Sequence, residues 1–255
     1  MLPFVVFFCY HIMITTCPWA SRFKKLLFAA LISMPLLSCT ATIHGELFEG
    51  GSGEVDLILT IENQAQDFIR RFRNISGVSA ETAILEGPAM SRLLGALPGI
   101  AMADLRNPHP AFLGGFIGIS HVGDILRGQE RDLFSYTEGA APGSSSLVLV
   151  LDRETVPAFL SQVSPEAEGY LSLLMAPVLL GESLNKDEYL ALLAMVYGQA
   201  LTNEIASSVI QAQIAFPRPI QSIQGGRAQG NLADFEIPLL DLLVMEEALR
   251  YELSW

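Results

Sequence analysis

SVIQAQIAFPRPIQSIQGGRAQGNLADFEIPLLDLLVMEEALRYELSW, Ser208 to Trp255, reads as a succession of short strands. In its first nine residues Ile210, Ala212, Ile214 and Phe216 point one way and Gln211 and Gln213 the other. That is the period-2 pattern of a half-buried strand. The Pro-Arg-Pro at 217–219 turns the chain. IQSIQGG and GNLADFEI make two more short strands around a glycine turn. PLLDLLVM packs as a loop or a helical turn, and ALRYELSW ends with Leu249, Tyr251, Leu253 and Trp255 on one face. The pattern predicts a C-terminal antiparallel β-meander.

Upstream lies a helical stretch, KDEYLALLAMVYGQALTNEIA. Leu190, Leu193, Ala194, Tyr197, Leu201 and Ile205 recur there at helical spacing. Asn185 precedes it, with Glu188 three residues on, the Asn form of a capping box. PEAEGYLSLLMAPVLLG, apolar nearly all round, reads as a further helix. SLVLVLD, from Ser146, is apolar on both faces and reads as an inner strand. Gln129 to Ser144 is a polar, turn-rich connection and the best candidate hinge. LRNPHPAFLGGFIGISHVGDIL reads as an irregular crossing, with a strand around Gly115 to His121. Near the start, GEVDLILTI alternates, with Val55, Leu57, Leu59 and Ile61 on one side. ENQAQDFIRRFRNIS follows as a helix, its inner face carrying Phe68, Ile69 and Phe72. EGPAMSRLLGAL is a second helix, with Pro88 in its first turn, where a missing N–H costs little. Strands at both ends with helices between them predict an α+β domain over residues 53–255, its antiparallel sheet covered on one face by helices.

Before the domain stands KKLLFAALISMPLLSCTATIHGE, Lys24 to Glu46. Its apolar run, Leu26 to Leu37, is shorter than the roughly 20 residues that span a bilayer. Arg22, Lys24 and Lys25 lead into it, and no acid occurs before Glu46. A basic segment, a short apolar segment and small residues at the end form a secretory signal. Leu36-Leu37-Ser38-Cys39 resembles the lipobox of bacterial lipoproteins. What that resemblance implies is cleavage after Ser38 and acylation of Cys39. Two or more acyl chains hold a protein stably on a membrane, whereas one gives marginal binding. The domain organisation expected is a signal peptide at 1–38, with 1–12 ahead of the more natural start Met13. Cys39 and a flexible tether follow to residue 52. Removing the signal takes Cys9 and Cys17 with it, so the mature chain has no cysteine pair and no internal disulfide.

The C-terminal segment from Ile214 to Trp255, with its FP…I…GG…G pattern, resembles uncharacterised envelope lipoproteins of spirochaetes, treponemes in particular. The resemblance implies a surface or periplasmic location and brings no catalytic residue. Thr40 stands where enterobacterial lipoproteins retained in the inner membrane carry Asp. That favours an outer-membrane anchor facing the periplasm.

The chain has a formal charge of −12, and losing Arg22, Lys24 and Lys25 takes the mature form to −15. Lys186 is then its only lysine. Nucleic acid is excluded as a partner, because its phosphates demand a basic face. Mean hydropathy is nonetheless +0.40. The histidines of the mature chain, His44, His109 and His121, are isolated, without the close spacing that zinc sites show. Ser183 to Lys186 matches Ser-x-x-Lys, but its place suits a helix start, where such residues cap. GISHV from Gly118 lacks the second glycine of a nucleophile elbow. Neither GGRAQGN nor GGSGE has the order of a phosphate loop. These readings give no enzyme, metal or cofactor. The apolar surplus instead points to a hydrophobic ligand or membrane contact, lined by Leu171, Leu174, Met175, Leu190, Leu193 and Tyr197. The competing expectation is an adaptor subunit of an envelope assembly. An enclosed apolar cavity would separate the first from the second.

Overall fold

The computed structural model describes residues 40–76, 85–125, 133–141, 144–156, 158–159, 169, 173–175 and 184–255. The expected helix at 165–181 and the residues Cys39, Leu171 and Ser183 lie mostly or wholly outside them.

Alternation in GEVDLILT forms strand β2 (Gly53–Thr60). It pairs antiparallel with β1 (Thr40–Leu47) and with β4 (Phe112–Ile119). β4 in turn carries β3 (Ile100–Arg106) at the sheet edge. On its other side β1 pairs in parallel with β7 (Val209–Ala215). β10 (Leu232–Pro238) and β9 (Gly226–Gln229) complete a seven-stranded sheet of order β3-β4-β2-β1-β7-β10-β9. A second sheet has the order β5-β6-β11-β8, from Phe134–Thr137, Ser146–Leu151, Leu249–Ser254 and Ser222–Gln224.

The helices follow the sequence pattern closely. α1 spans Asn63–Ser76 and buries Ile69. α2 (Gly87–Gly95) has its proline in the first turn and packs Leu94 against Leu105 and Leu113 of the large sheet. α3 (Lys186–Tyr197) opens with the full capping box. The Asn185 side chain accepts from the Glu188 amide at 2.9 Å, and the Glu188 carboxylate accepts from the Asn185 amide at 3.0 Å. α4 (Gln199–Ser207) and the short α5 (Leu239–Val244) follow. Helices and small sheet share a core with one face of the large sheet: Tyr189, Leu193, Leu201, Ile205 and Leu243 pack with Phe235 and Ile237. The α+β class with helices on one face of a largely antiparallel sheet is the observed architecture. On the opposite face Gln211, Gln213 and His44 are exposed.

Five expectations are corrected. Thr40–Leu47 is not a tether but an inner strand, so residues 40–47 belong to the sheet of the domain. Its small residues and Gly45 give a weak strand signal, and neighbours on both sides supply the pairing that propensity does not. The C-terminal strands do not form one meander. β7, β9 and β10 join the large sheet, while β8 and β11 join the small one. The prolines at 217 and 219 take the chain out of the first sheet. Gly225 (φ 79°) brings it back through a point where a Cβ would strike the Tyr251 ring and the Arg250 carbonyl. The single helix expected across 186–206 breaks at Gly198, whose φ of 90° and ψ of 157° are not helical. The irregular crossing before Gly115 is instead a hairpin, β3 and β4. The candidate hinge contains strand β5, and the Arg218 guanidinium pins the loop after it. Its Nη2 donates to the Gly139 carbonyl at 3.0 Å and to Ser145 Oγ at 2.9 Å.

Candidate functional site

Inward-facing positions of both sheets meet around an apolar cavity of about 240 Å³. The large sheet contributes Ile43, Val55, Ile210, Ala212, Ile214 and Phe235. The small sheet contributes Phe134, Leu147, Leu149, Tyr251 and Leu253. The lining follows from register. Ala212 on β7 lies opposite Ile43 on β1 and Phe235 on β10. A small residue between larger neighbours leaves the space unfilled. Among the described lining residues the exposed Glu46 is the only ionisable one apart from the Tyr251 phenol.

Phe216 lines the cavity and joins an aromatic cluster that lies behind that lining. Phe216 and Trp255 have ring centroids 4.9 Å apart, Tyr136 lies 6.1 Å from Trp255, and His121 meets Tyr136 edge-on at 5.4 Å. Tyr251 stands edge-on to Phe235 at 5.7 Å. Burial pushes the Tyr251 phenol above its ordinary pKa, and the Asp241 charge adds to that. Burial does the same for Tyr136, reinforced by Glu138 and opposed by Arg218. Both phenols therefore stay neutral at physiological pH. A site of this composition can hold hydrocarbon. It offers no nucleophile paired with a base.

The helix residues expected to line a ligand site are elsewhere. Met175 is fully buried and Leu193 nearly so, both as core. The Leu174 carbonyl accepts from the Tyr189 hydroxyl at 2.9 Å, and its side chain packs at the core margin. Leu190 is half-buried on α3. Tyr197 lies in an outer groove with Phe68, Leu173 and Leu201, and its ring meets Phe68 edge-on at 5.1 Å. None of these five lines the inter-sheet cavity. The strand residues that do were legible as inward faces, but which two faces would oppose each other was not.

Lys186 is engaged with Asp241, Nζ to Oδ1 at 2.7 Å, and this hydrogen bond raises its pKa. A lysine held protonated by a carboxylate is a poor base. Among the described residues no group of three His, Cys, Asp or Glu could hold a metal ion. No described helix is long and apolar enough to cross a membrane.

No known family matches the chain, and no curated protein matches it by sequence. Among solved structures it is similar to the folded domain of the Mycobacterium tuberculosis LppM protein, determined by NMR. The TM-score is 0.34 and the identity 9%, covering 85% of this chain and 88% of that one. A likeness at that level assigns no function.

Proposed function

We propose that the chain is a non-enzymatic, lipid-anchored protein of the bacterial envelope, held by Cys39 in the outer membrane and facing the periplasm, whose domain takes a hydrocarbon chain between its two sheets. The inter-sheet cavity carries the ligand part of this reading. A residual cavity costs about 24 cal/mol per Å³. Left empty, the 240 Å³ here would therefore cost about 6 kcal/mol. That is comparable to the whole net stability of a domain, about 5–15 kcal/mol. An occupant would offset it. A dry apolar cavity of about 150 Å³ accepts benzene, and sites for drug-sized ligands run from about 300 Å³. The volume here suits one acyl or alkyl chain and not a complete phospholipid.

The test is native mass spectrometry of the chain expressed in a bacterial host and purified without detergent, followed by thermal melts with medium-chain fatty acid. A co-purifying fatty-acid mass, or a melting temperature that rises with ligand, supports the reading. An apo protein whose melting is indifferent to fatty acid overturns it.

A second reading rests on α3. Met195 and Val196 are 78% and 59% exposed, beside a groove of about 310 Å³ lined by Phe68, Tyr197 and Leu201. Such a patch suits an adaptor that docks an envelope partner. Val196→Glu would abolish docking there and leave fatty-acid binding unchanged.

A further inference from the structure

We infer that the end of the large sheet carrying the 107–111 turn faces the lipid headgroups, and that the opposite, acidic end points away from the membrane. The inference rests on the proposal that Cys39 is acylated. Cys39 adjoins Thr40, the first residue of β1, and neighbouring Cα atoms are only about 3.8 Å apart. No tether intervenes. β1 is moreover the middle strand of seven, clamped by β2 and β7. A lipid on Cys39 would therefore hold the sheet by the centre of one end.

Register defines that end. Thr40 lies opposite Thr60, and Thr60 opposite Phe112. On the other side Thr40 lies opposite Val209, and Val209 opposite Pro238. The turn between β3 and β4 thus projects beside the anchor, and its exposed residues Pro108, His109 and Pro110 include no acid. Arg106, at the start of the turn, is the nearest exposed cation on β3, with its guanidinium on Asp104. At the far end Glu46 stands opposite Glu54, and Glu49 and Glu138 lie close by. β1 is eight residues long, so about 25 Å separates the two ends. Glu62 and Glu86 lie at the near end and Arg218 at the far one, so the covalent attachment at β1 and not charge sets the orientation.

The test uses the full chain expressed in a lipid-modifying bacterium. His109→Cys and Glu49→Cys are labelled with an environment-sensitive fluorophore and placed in phosphatidylcholine vesicles doped with headgroup-nitroxide lipid. Quenching at 109 with none at 49 is the expected result, and Pro110→Cys gives a second reporter on the same turn. Equal or reversed quenching overturns the orientation alone. Intact mass separates this from failure of the anchor. An acylated Cys39 takes no label, whereas a second label on Cys39 would overturn the anchor and the orientation with it.

Discussion

Replacing Ala212 with Leu separates a real cavity from ordinary packing, because the two cases have opposite signs. The Ala212 side chain lies at mid-strand on β7 between Ile43 and Phe235 and borders the inter-sheet space. Leucine adds three carbons. If they enter an empty 240 Å³ cavity, each buried carbon contributes about 0.8 kcal/mol, or about 2 kcal/mol together. For a domain of this size that raises the melting temperature by about 4–8 °C. In a filled core the same carbons would force neighbours off their rotamers and cost about 1–3 kcal/mol. Urea denaturation of ligand-stripped protein reads the difference directly, with an unchanged slope and a higher midpoint expected. The variant should also respond less to fatty acid than the parent, since its side chain occupies part of the same space. A lower midpoint in stripped protein would refute the cavity and remove the support for a ligand.

Glu204, almost fully buried on α4, accepts from the amides of Gln64 and Ala65 at 3.1 and 2.9 Å, which places its carboxylate on the N-terminus of α1. Glu204→Ala should cost about 3 kcal/mol, and Glu204→Gln about half of that, as hydrogen bonds to a charged group and the helix dipole are lost; hydrogen exchange at Gln64 and Ala65 should rise in both. Gly115 has φ 152° and sits where a Cβ would strike the Asp104 carbonyl. Gly115→Ala should cost about 2 kcal/mol, read as a lower urea midpoint, or detach the edge strand β3, seen as lost amide protection there. Burial raises the phenol pKa of Tyr189, with Tyr197 adding, and burial also leads for Tyr136 and Tyr251. Above the ordinary tyrosine pKa of about 10 the unfolded chain releases these protons while the fold retains them, so stability is full below pH 10 and falls as pH rises beyond it; a pH series of urea midpoints checks this, and Tyr189→Phe should flatten the decline. Asn185→Ala removes one half of the α3 capping box and should cost about 1 kcal/mol.

Much of the fold was legible locally. Strands β2, β7 and β10 announce themselves by alternation, and α3 by its Asn185–Glu188 box. β1 escaped because TATIHGEL has one large inward residue before Gly45, and one of its two partners, β7, lies far along the chain. The break at Gly198 escaped because Leu193, Tyr197, Leu201 and Ile205 keep helical spacing through it. The inter-sheet cavity escaped for a different reason. Apolar helices suggested a greasy lining, yet Met175 and Leu193 serve as core. The cavity instead arises where two strand faces oppose each other around a small residue, Ala212. Facing of sheets is a tertiary property that local periodicity does not encode. The Arg218 clamp on the 139–145 loop is likewise a long-range contact with no local signature.

The parallel pairing of β1 with β7 sets the order in which this protein can fold. Thr40 meets Val209, a partner that leaves the ribosome late. Until then β1 is paired on one side only, as the edge of the four strands β3-β4-β2-β1. Contacts of such sequence separation slow folding, because the closure entropy of a long loop must be overcome first. Strand β1 therefore completes its pairing only after β7, in the last fifth of the chain, has been made.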